Sequence, residues 1–231
     1  MVYTFWEGEM PAYIKLCMQT WKIPYVLINY DNVNQYTDIP IEKLKDKFTL
    51  PQIADFVRAH VLRDNGGYWL DADTIMLREK LPQTNLIGYP NRRDATIGFL
   101  YAEKPKMPFY MEWCNYQDEI VNEPLWSREW NCMGNSFTDQ YLREHKNISI
   151  GFIILRWPET YVIDGDISRC DKYRKFYFDS TYTLAEDLIP DILMLHNSWT
   201  PEWYKKLSEQ EVLQHNCTLS KILKEVLSCN T

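Results

Sequence analysis

Apolar residues in the first half of the chain form short continuous runs that alternate with longer segments of helical spacing. The short runs predict strands, and the longer segments predict helices. This alternation is typical of βαβ units, in which helices cover a mainly parallel sheet, so the pattern predicts an α/β fold. The predicted strands are residues 2–6, 24–29, 68–70 and 95–102, and the predicted helices are residues 11–21, 50–65 and 108–121.

The second half of the chain has fewer regular segments. Residues 137–144 predict a helix, residues 151–155 and 192–195 predict late strands, and the apolar spacing beyond residue 199 predicts two closing amphipathic helices. No repeat, low-complexity tract or linker divides the chain, and a length of 231 residues fits one large domain. We therefore predict a single domain over residues 1–231.

The composition excludes several classes of protein. Hydrophobic residues make up 45% of the chain and charged residues 25%, close to the averages for soluble globular proteins. The formal net charge is −7, and no basic run is present, so we expect no nucleic-acid partner. No apolar run reaches the roughly eighteen residues of a membrane helix, so we expect no integral membrane segment.

The N-terminal region and the cysteines indicate the compartment. Glu7 and Glu9 stand where a secretory signal would carry basic residues. The six cysteines are scattered without a close pair, which favours neither a zinc site nor a dense disulfide framework. We therefore expect reduced thiols and a cytoplasmic location.

Two acidic residues, Asp71 and Asp73, follow the predicted strand 68–70 and are separated by Ala72. Successive side chains on a strand point to opposite faces, so an extended chain would place both carboxylates on one side. Mg²⁺ and Mn²⁺ prefer oxygen ligands and commonly bind one or two carboxylates together with phosphate oxygens. The pattern predicts a divalent-cation site, although an ordinary acidic loop would produce the same two residues.

The residues around this pair carry a family resemblance. The sequence reads ADFVR at residues 54–58 and NGGYWLDAD at residues 65–73, and it opens with TFWEG at residues 4–8. These motifs resemble those of DxD-containing sugar transferases of the capsular polysaccharide synthesis and Och1-like group. The resemblance is strong over the first half of the chain and fragmentary over the second.

The resemblance implies a GT-A fold, an α/β/α sandwich around a mainly parallel mixed sheet. It implies transfer of a sugar from a nucleotide-sugar donor, usually a UDP-sugar, to a glycan or other hydroxyl acceptor, with Mn²⁺ or Mg²⁺ as cofactor. Residues 1–110 would form the nucleotide-sugar-binding half, and residues 111–231 the acceptor side with the closing helices. Some large algal viruses carry small enzymes of this type, in which case the location would be the host cytosol.

Individual positions match the family pattern in the first half of the chain. Asp55 and Arg58 match the pair that contacts the donor sugar and phosphates, and their alternative is a solvated helical ion pair. Asp71 matches the first acid of the DxD motif, directed at ribose or sugar and a candidate metal ligand. Asp73 matches the second acid, the direct metal ligand, so both acids are predicted catalytic residues. Trp6 falls where related toxins pack a strand residue near the base.

Two later segments add candidates. His196, Ser198 and Trp199 are similar to a late element of the superfamily, in which a His completes the metal shell and a Ser or Trp contacts the diphosphate. A lone His is also often structural. Asp139 and Gln140 resemble a sugar-binding pair of a neighbouring retaining family, and Asp139 would be the catalytic base of an inverting enzyme. Alternatively, Thr138 or Asp139 caps the helix.

The resemblance leaves the reaction partly open. A retaining mechanism is slightly favoured over an inverting one. The alternative function is a carbohydrate-binding or nucleotide-binding module that keeps the fold and has lost turnover. Trp126 and Trp130 lie in a segment that matches nothing in the family, and they predict either an acceptor wall or a satellite hydrophobic cluster.

Overall fold

The structure is a computed structural model, and it describes residues 1–79, 81, 86–88, 95–124, 129–145, 150–151, 167–179, 181 and 191–228. The chain divides into two compact units that are interleaved along the sequence. The first contains residues 1–8, 23–71 and 82–152, and the second contains residues 9–22, 72–81 and 153–231. Each unit draws on both halves of the chain, and the single-domain interpretation stays a prediction.

The described residues contain eight strands. The strands are β1 (Val2–Phe5), β2 (Tyr25–Ile28), β3 (Gly67–Leu70), β4 (Thr74–Met76), β5 (Leu86–Gly88), β6 (Ala95–Ala102), β7 (Ile150–Gly151) and β8 (Ile192–Met194). Six of them form the sheet of the first unit in the order β2-β1-β3-β6-β5-β7. β1 is parallel to β2 and β3, and β5 is parallel to β7, whereas β6 is antiparallel to both of its neighbours.

Nine α-helices occur in the described part of the chain. The helices are α1 (Ala12–Gln19), α2 (Ile41–Lys47), α3 (Leu50–Asn65), α4 (Pro108–Val121), α5 (Asn135–Glu144), α6 (Arg169–Tyr177), α7 (Glu202–Lys205), α8 (Glu209–Gln214) and α9 (Thr218–Ser228). The first unit contains α2 to α5, and the second contains α1 and α6 to α9.

Helix α3 is the main helix against the sheet of the first unit. Thr49 and Gln52 form a capping box at its start, with a proline in its first turn. Gly66 ends the helix with φ of +67°, a left-handed conformation that glycine adopts without steric cost. The apolar face of α3 packs on β1, β3 and β6, and α4 packs on α3. The packing of α3 brings side chains of its first half close to the C-terminal end of β3.

The second unit is built on a small antiparallel sheet of β4 and β8. Helix α1 packs on β4, and the helices α8 and α9 pack on each other and on α1. The indole of Trp21 donates a buried hydrogen bond to the carbonyl oxygen of Thr74, 2.7 Å away. This bond fixes the end of the α1 segment against β4.

The observed elements confirm the predicted α/β class with a mixed, mainly parallel sheet and flanking helices. The prediction of two closing helices was wrong in number, because three helices, α7 to α9, follow residue 199. The predicted strand 151–155 is observed as a strand only at 150–151, and residues 152–155 lie outside the described residues. Within the described ranges, every helix is too short or too polar to cross a membrane.

Candidate functional site

Four residues of the first unit form a charged cluster at the end of β3, which we call the Arg58 cluster: Asp55, Arg58, Trp69 and Asp71. Arg58 is the centre, with 6% of its side chain exposed, and its Nη2 lies 3.0 Å from Asp55 Oδ1 and 3.2 Å from Asp71 Oδ1. The Trp69 indole also donates to Asp71 Oδ1, at 2.9 Å. The predicted pair is therefore part of an ion triad that includes the first acid of the motif. Asp55 and Arg58 are largely buried, so the solvated-pair alternative is wrong, whereas 32% of the Asp71 side chain is exposed.

The backbone fixes Arg58 further. Its Nη1 donates to the carbonyl oxygen of Ile97 in β6, and its guanidinium lies over the Trp69 ring at 5.3 Å from the ring centroid. Asp71 N–H donates to the Gly98 carbonyl oxygen at 2.8 Å, so the residue after β3 is still held by β6. These contacts hold both carboxylates in one orientation relative to the guanidinium.

The pKa of Asp55 is raised to about 6, mainly by burial; the positive charge of Arg58 opposes this shift and the nearby negative charge of Asp71 adds to it. A carboxyl group whose pKa is raised in the folded state stabilises the protein most when it is protonated. Its contribution is fully present below the unfolded pKa of about 3.9 and is lost as the pH rises through about 6. The contribution of Asp55 to the stability of the fold should therefore fall as the pH rises.

We expect Asp55→Asn to remove this pH dependence, because the amide has the shape of the protonated acid and carries no charge. Between about pH 4.5 and pH 7.5 the stability of the variant relative to the original protein should increase by about 2 kcal/mol. Urea unfolding at both pH values measures the difference. A relative stability that is the same at both pH values would contradict the raised pKa of Asp55.

Asp73 belongs to the second unit and does not continue a strand. β3 ends at Leu70, and Ala72 and Asp73 lie in a turn, so strand alternation does not apply and that part of the prediction is wrong. The end of β8 holds Asp73 instead. Leu195 N–H donates to the Asp73 carbonyl oxygen at 3.1 Å, and Asn197 N–H donates to Asp73 Oδ2 at 2.9 Å.

His196 lies between these two backbone donors, directly after Leu195 and directly before Asn197. Its own N–H donates to the Tyr173 hydroxyl at 3.1 Å. Its ring stacks on Trp199, with centroids 4.3 Å apart, and meets the Tyr173 ring edge-on. We call Asp73, His196, Asn197 and Tyr173, together with Tyr13, the Asp73 cluster.

Tyr13 of α1 supports this cluster through a hydrogen bond to Asn197. Its hydroxyl donates to Asn197 Oδ1 at 2.5 Å, and the backbone of the same Asn197 donates to Asp73. The pKa of Tyr13 is raised well above its ordinary value, first by burial and then by the charge of Asp73. The hydroxyl therefore remains a hydrogen-bond donor at physiological pH.

Tyr13→Phe should lower the free energy of unfolding by about 1–2 kcal/mol, because the Asn197 side-chain oxygen loses its donor in a partly buried place. Chemical denaturation measures this loss. Tyr25→Phe is a suitable control, since Tyr25 is 42% exposed on the edge strand β2 and should change stability by less than about 0.5 kcal/mol. Equal effects of the two changes would contradict a supporting role for the Tyr13 hydroxyl.

The Asp73 cluster suits a divalent cation in the kind of atoms that it offers, a carboxylate and an imidazole. Within the described residues no group of three or more His, Cys, Asp or Glu side chains lies close enough together to hold a metal ion. Mg²⁺ and Mn²⁺ usually complete their shells with water and substrate phosphates, so a small set of protein ligands is sufficient. The predicted set of Asp71, Asp73 and His196 stays a prediction.

The remaining donor candidates occupy different surroundings. Trp6 follows β1, and its indole Nε1 is buried and has no hydrogen-bond partner among the described residues. Ser198 is exposed beside Asn197, whereas Trp199 is partly buried, and its carbonyl oxygen accepts a hydrogen bond from Arg174 at 3.0 Å.

Helix α5 contains the other two candidates. Its N-cap is Gly134, so Thr138 and Asp139 lie inside the helix and the capping alternative is wrong. Gln140 is exposed, and its amide donates to Glu144 one turn later at 2.9 Å. Trp130 is 73% exposed, and Trp126 lies outside the described residues.

Sequence reasoning missed the supporting residues of both clusters. Trp69 and Asn197 stand inside the motifs, and their position beside the candidate acids was the available signal. Tyr13 and Gly134 are far from the motifs in sequence, and no local pattern identifies them.

The amino-acid sequence matches, over residues 2–219, the family described as capsular polysaccharide synthesis protein. The chain belongs to this family. This membership confirms the resemblance found in the motifs and extends it over the second half of the chain. It supports the predicted enzyme class, a glycosyltransferase. No curated protein matches the chain.

Solved structures show weaker similarity. The structure named PaToxG glycosyltransferase is 14% identical, with a TM-score of 0.45, and the match covers 62% of this chain and 67% of that chain. The apo form of the glycosyltransferase GlyE from Streptococcus pneumoniae TIGR4 is 12% identical, with a TM-score of 0.44, and the match covers 99% of this chain and 63% of GlyE. A second GlyE structure is 13% identical, with a TM-score of 0.44 and coverages of 99% and 64%. The chain thus spans less than two thirds of GlyE.

Proposed function

We propose that this member of the capsular polysaccharide synthesis family is a metal-dependent glycosyltransferase that moves a sugar from a UDP-sugar to a glycan or other hydroxyl acceptor. The observation that carries the proposal is the pair of backbone hydrogen bonds that the segment directly after β8 donates to Asp73. Two backbone N–H groups on either side of His196 orient the main chain and the carboxylate of the second acid. An acid fixed in this way is prepared to bind a cation without further ordering.

The proposed cation is Mn²⁺ or Mg²⁺, held by Asp73 with His196. When bound, it neutralises the negative charge that develops on the departing diphosphate. The Asp73 carboxylate keeps one hydrogen bond from Asn197 N–H, which prevents it from rotating away from this role. Tyr13 donates a hydrogen bond to the side chain of Asn197 and so helps to fix the residue that orients the Asp73 carboxylate.

The proposed donor contacts come from the Arg58 cluster and from Trp6. Arg58 is already paired with Asp55 and Asp71, so its charge fixes these two carboxylates for hydrogen bonds to donor hydroxyl groups. The buried indole N–H of Trp6 has no acceptor among the described residues, and a ligand that accepts a hydrogen bond from it would offset the cost of burying it unpaired. Ser198, Trp199 and Gln140 remain proposed donor contacts.

We propose retention of configuration. An inverting reaction needs a carboxylate that takes the proton of the acceptor hydroxyl. Asp139 is the candidate for this base, but its Oδ1 is buried, so an acceptor hydroxyl cannot reach that oxygen. Asp139→Asn should therefore leave turnover within about threefold of the original protein. Proton NMR of the anomeric product settles the stereochemistry directly.

Titration calorimetry with UDP tests the proposed function first, in the presence and absence of Mn²⁺. We expect UDP to bind at least about a hundredfold more tightly with the metal, because the cation offsets the charge of the diphosphate. Release of UDP across a panel of UDP-sugars then identifies the donor. Binding that ignores the metal, together with no UDP release from any donor, would instead indicate a binding module of the same family.

A further inference from the structure

Gly134, the N-cap of α5, lies unusually close to the Arg58 cluster. A Cβ atom built on Gly134 would lie 2.5 Å from Asp55 Oδ2 and 3.0 Å from Asp55 Cγ, and it would also overlap Ile97 Cδ1. Real Cβ atoms essentially never approach other heavy atoms to less than 3.0 Å. The main chain at Gly134 therefore forms one wall of the place in which the Asp55 carboxylate lies, and a side chain at this position would require Asp55 and Ile97 to move.

Two side chains of α4 hold this wall in position. The amide Nε2 of Gln117 donates both to the Asp55 carbonyl oxygen at 2.9 Å and to the Met133 carbonyl oxygen at 2.6 Å. The Trp113 indole donates to the same Met133 carbonyl oxygen at 2.9 Å. Gln117 and Trp113 are fully buried. One amide thus ties the backbone of Asp55 to the residue before Gly134, which sets the distance between the wall and the carboxylate.

The carboxylate has few other directions available. Its Oδ1 is paired with Arg58, and Arg58 donates in turn to the carbonyl oxygen of Ile97, the second residue that a Cβ at 134 would overlap. A side chain at position 134 would push against both Asp55 and Ile97, and both of these residues contact Arg58. Displacement of Asp55 would therefore move the guanidinium and, through it, Asp71.

We infer that Gly134 is a positioning residue that fixes the Asp55 carboxylate against Arg58, and that the enzyme needs glycine at this position to bind the sugar part of its donor. This inference rests on the proposed function, since it assigns Asp55 a contact with the donor sugar. It concerns the sugar rather than the nucleotide, because Gly134 contacts Asp55, the proposed sugar contact, whereas the cation is assigned to the Asp73 cluster.

The test compares the full chain with Gly134→Ala, Ile97→Val and the double variant. Ile97→Val removes the Cδ1 atom that the new methyl group would overlap, so the double variant relieves one contact and keeps the contact with Asp55. The melting temperature measures the cost of packing. Calorimetry with Mn²⁺ measures the affinities for UDP and for the best UDP-sugar of the donor panel.

A third measurement needs no donor. The Trp69 indole N–H, which donates to Asp71 beside Arg58, gives a nitrogen–proton NMR signal that reports on the cluster. Loss of one indole signal in Trp69→Phe assigns it. Ile97→Val should leave the signal nearly in place, whereas Gly134→Ala and the double variant should shift it.

We expect the double variant to melt within a few degrees of Ile97→Val, and to bind UDP within about twofold of the original protein. Its affinity for the UDP-sugar should fall by at least about tenfold, the loss expected when a charged hydrogen bond is misplaced. Recovery of UDP-sugar affinity together with the melting temperature would overturn the inference, because Gly134 would then serve packing alone.

The same set distinguishes failure of the proposed function. If the original protein binds no UDP-sugar while the Trp69 signal still shifts in the Gly134 variants, the donor assignment is wrong and the positioning of Asp55 stands. An unshifted Trp69 signal in Gly134→Ala would show that the wall does not set the cluster, whatever the donor.

Discussion

Asp73→Asn is expected to lower the turnover number on the order of a hundredfold to a thousandfold and to abolish the Mn²⁺ dependence of UDP binding. The amide oxygen can still accept the hydrogen bond from Asn197 N–H, so the turn should keep its shape. What is lost is the negative charge that binds the cation. UDP release with donor and acceptor present, and calorimetry with and without Mn²⁺, measure the two effects.

The matched control for this change is Asp179→Asn, an exposed aspartate of the same unit. It removes the same charge from the surface and should leave both measurements unchanged. UDP binding in Asp73→Asn that still depends on Mn²⁺ would exclude Asp73 as the metal ligand. A similar loss in Asp179→Asn would point to net charge rather than to a defined ligand.

Arg58→Met should lower the free energy of unfolding by about 3 kcal/mol near pH 7.5, because it leaves Asp55 and Asp71 without their shared buried cation. The pKa of Asp55 would then rise above its value of about 6 in the original protein, since Arg58 opposes the shift. A carboxyl with a raised pKa loses its stabilising contribution as the pH rises. The penalty should therefore be smaller near pH 5 than near pH 7.5, and urea unfolding at both values measures it.

Arg63→Met is the control on the same helix. Arg63 pairs with the neighbouring Asp64, with 21% of its side chain exposed, and Asp64 keeps a second donor from Thr37. Its loss should lower the free energy of unfolding by less than about 1 kcal/mol. Equal losses in the two variants, or a penalty for Arg58→Met that does not change with pH, would contradict an ion triad centred on the buried Arg58.

Sequence patterns predicted the strands and helices of the first half because these elements have continuous apolar runs or a full helical stripe. Helix α2 was missed because its seven residues carry only two buried apolar side chains, Ile41 and Leu44. Helix α6 was missed because its charged residues outnumber its apolar ones in the pattern, and Tyr173, Phe176 and Tyr177 become a buried face only after packing.

The candidate acids illustrate the limit for the site. The motif singled out Asp71 and Asp73, but the assumption of an extended chain through both acids was wrong, because β3 ends at Leu70 and Asp73 lies in a turn. The predicted pair Asp55 and Arg58 is in contact as expected, since three residues on a helix form a near-neighbour pair. The approach of Gly134 to Asp55 depends on how α4 ties two distant segments together, and no short pattern encodes that distance.

The interleaving of the two units constrains how this protein can be dissected. The chain passes from one unit to the other after residues 8, 22, 71, 81 and 152, so neither unit is a continuous fragment. No single truncation isolates either unit. Strands as distant in sequence as β1 and β3 must also meet before the larger sheet exists. Such long-range pairing requires large loops to close before the sheet can form, and the entropy lost in closing them slows folding. Shortened versions of the gene product should therefore be expressed as insoluble material rather than as isolated half-enzymes.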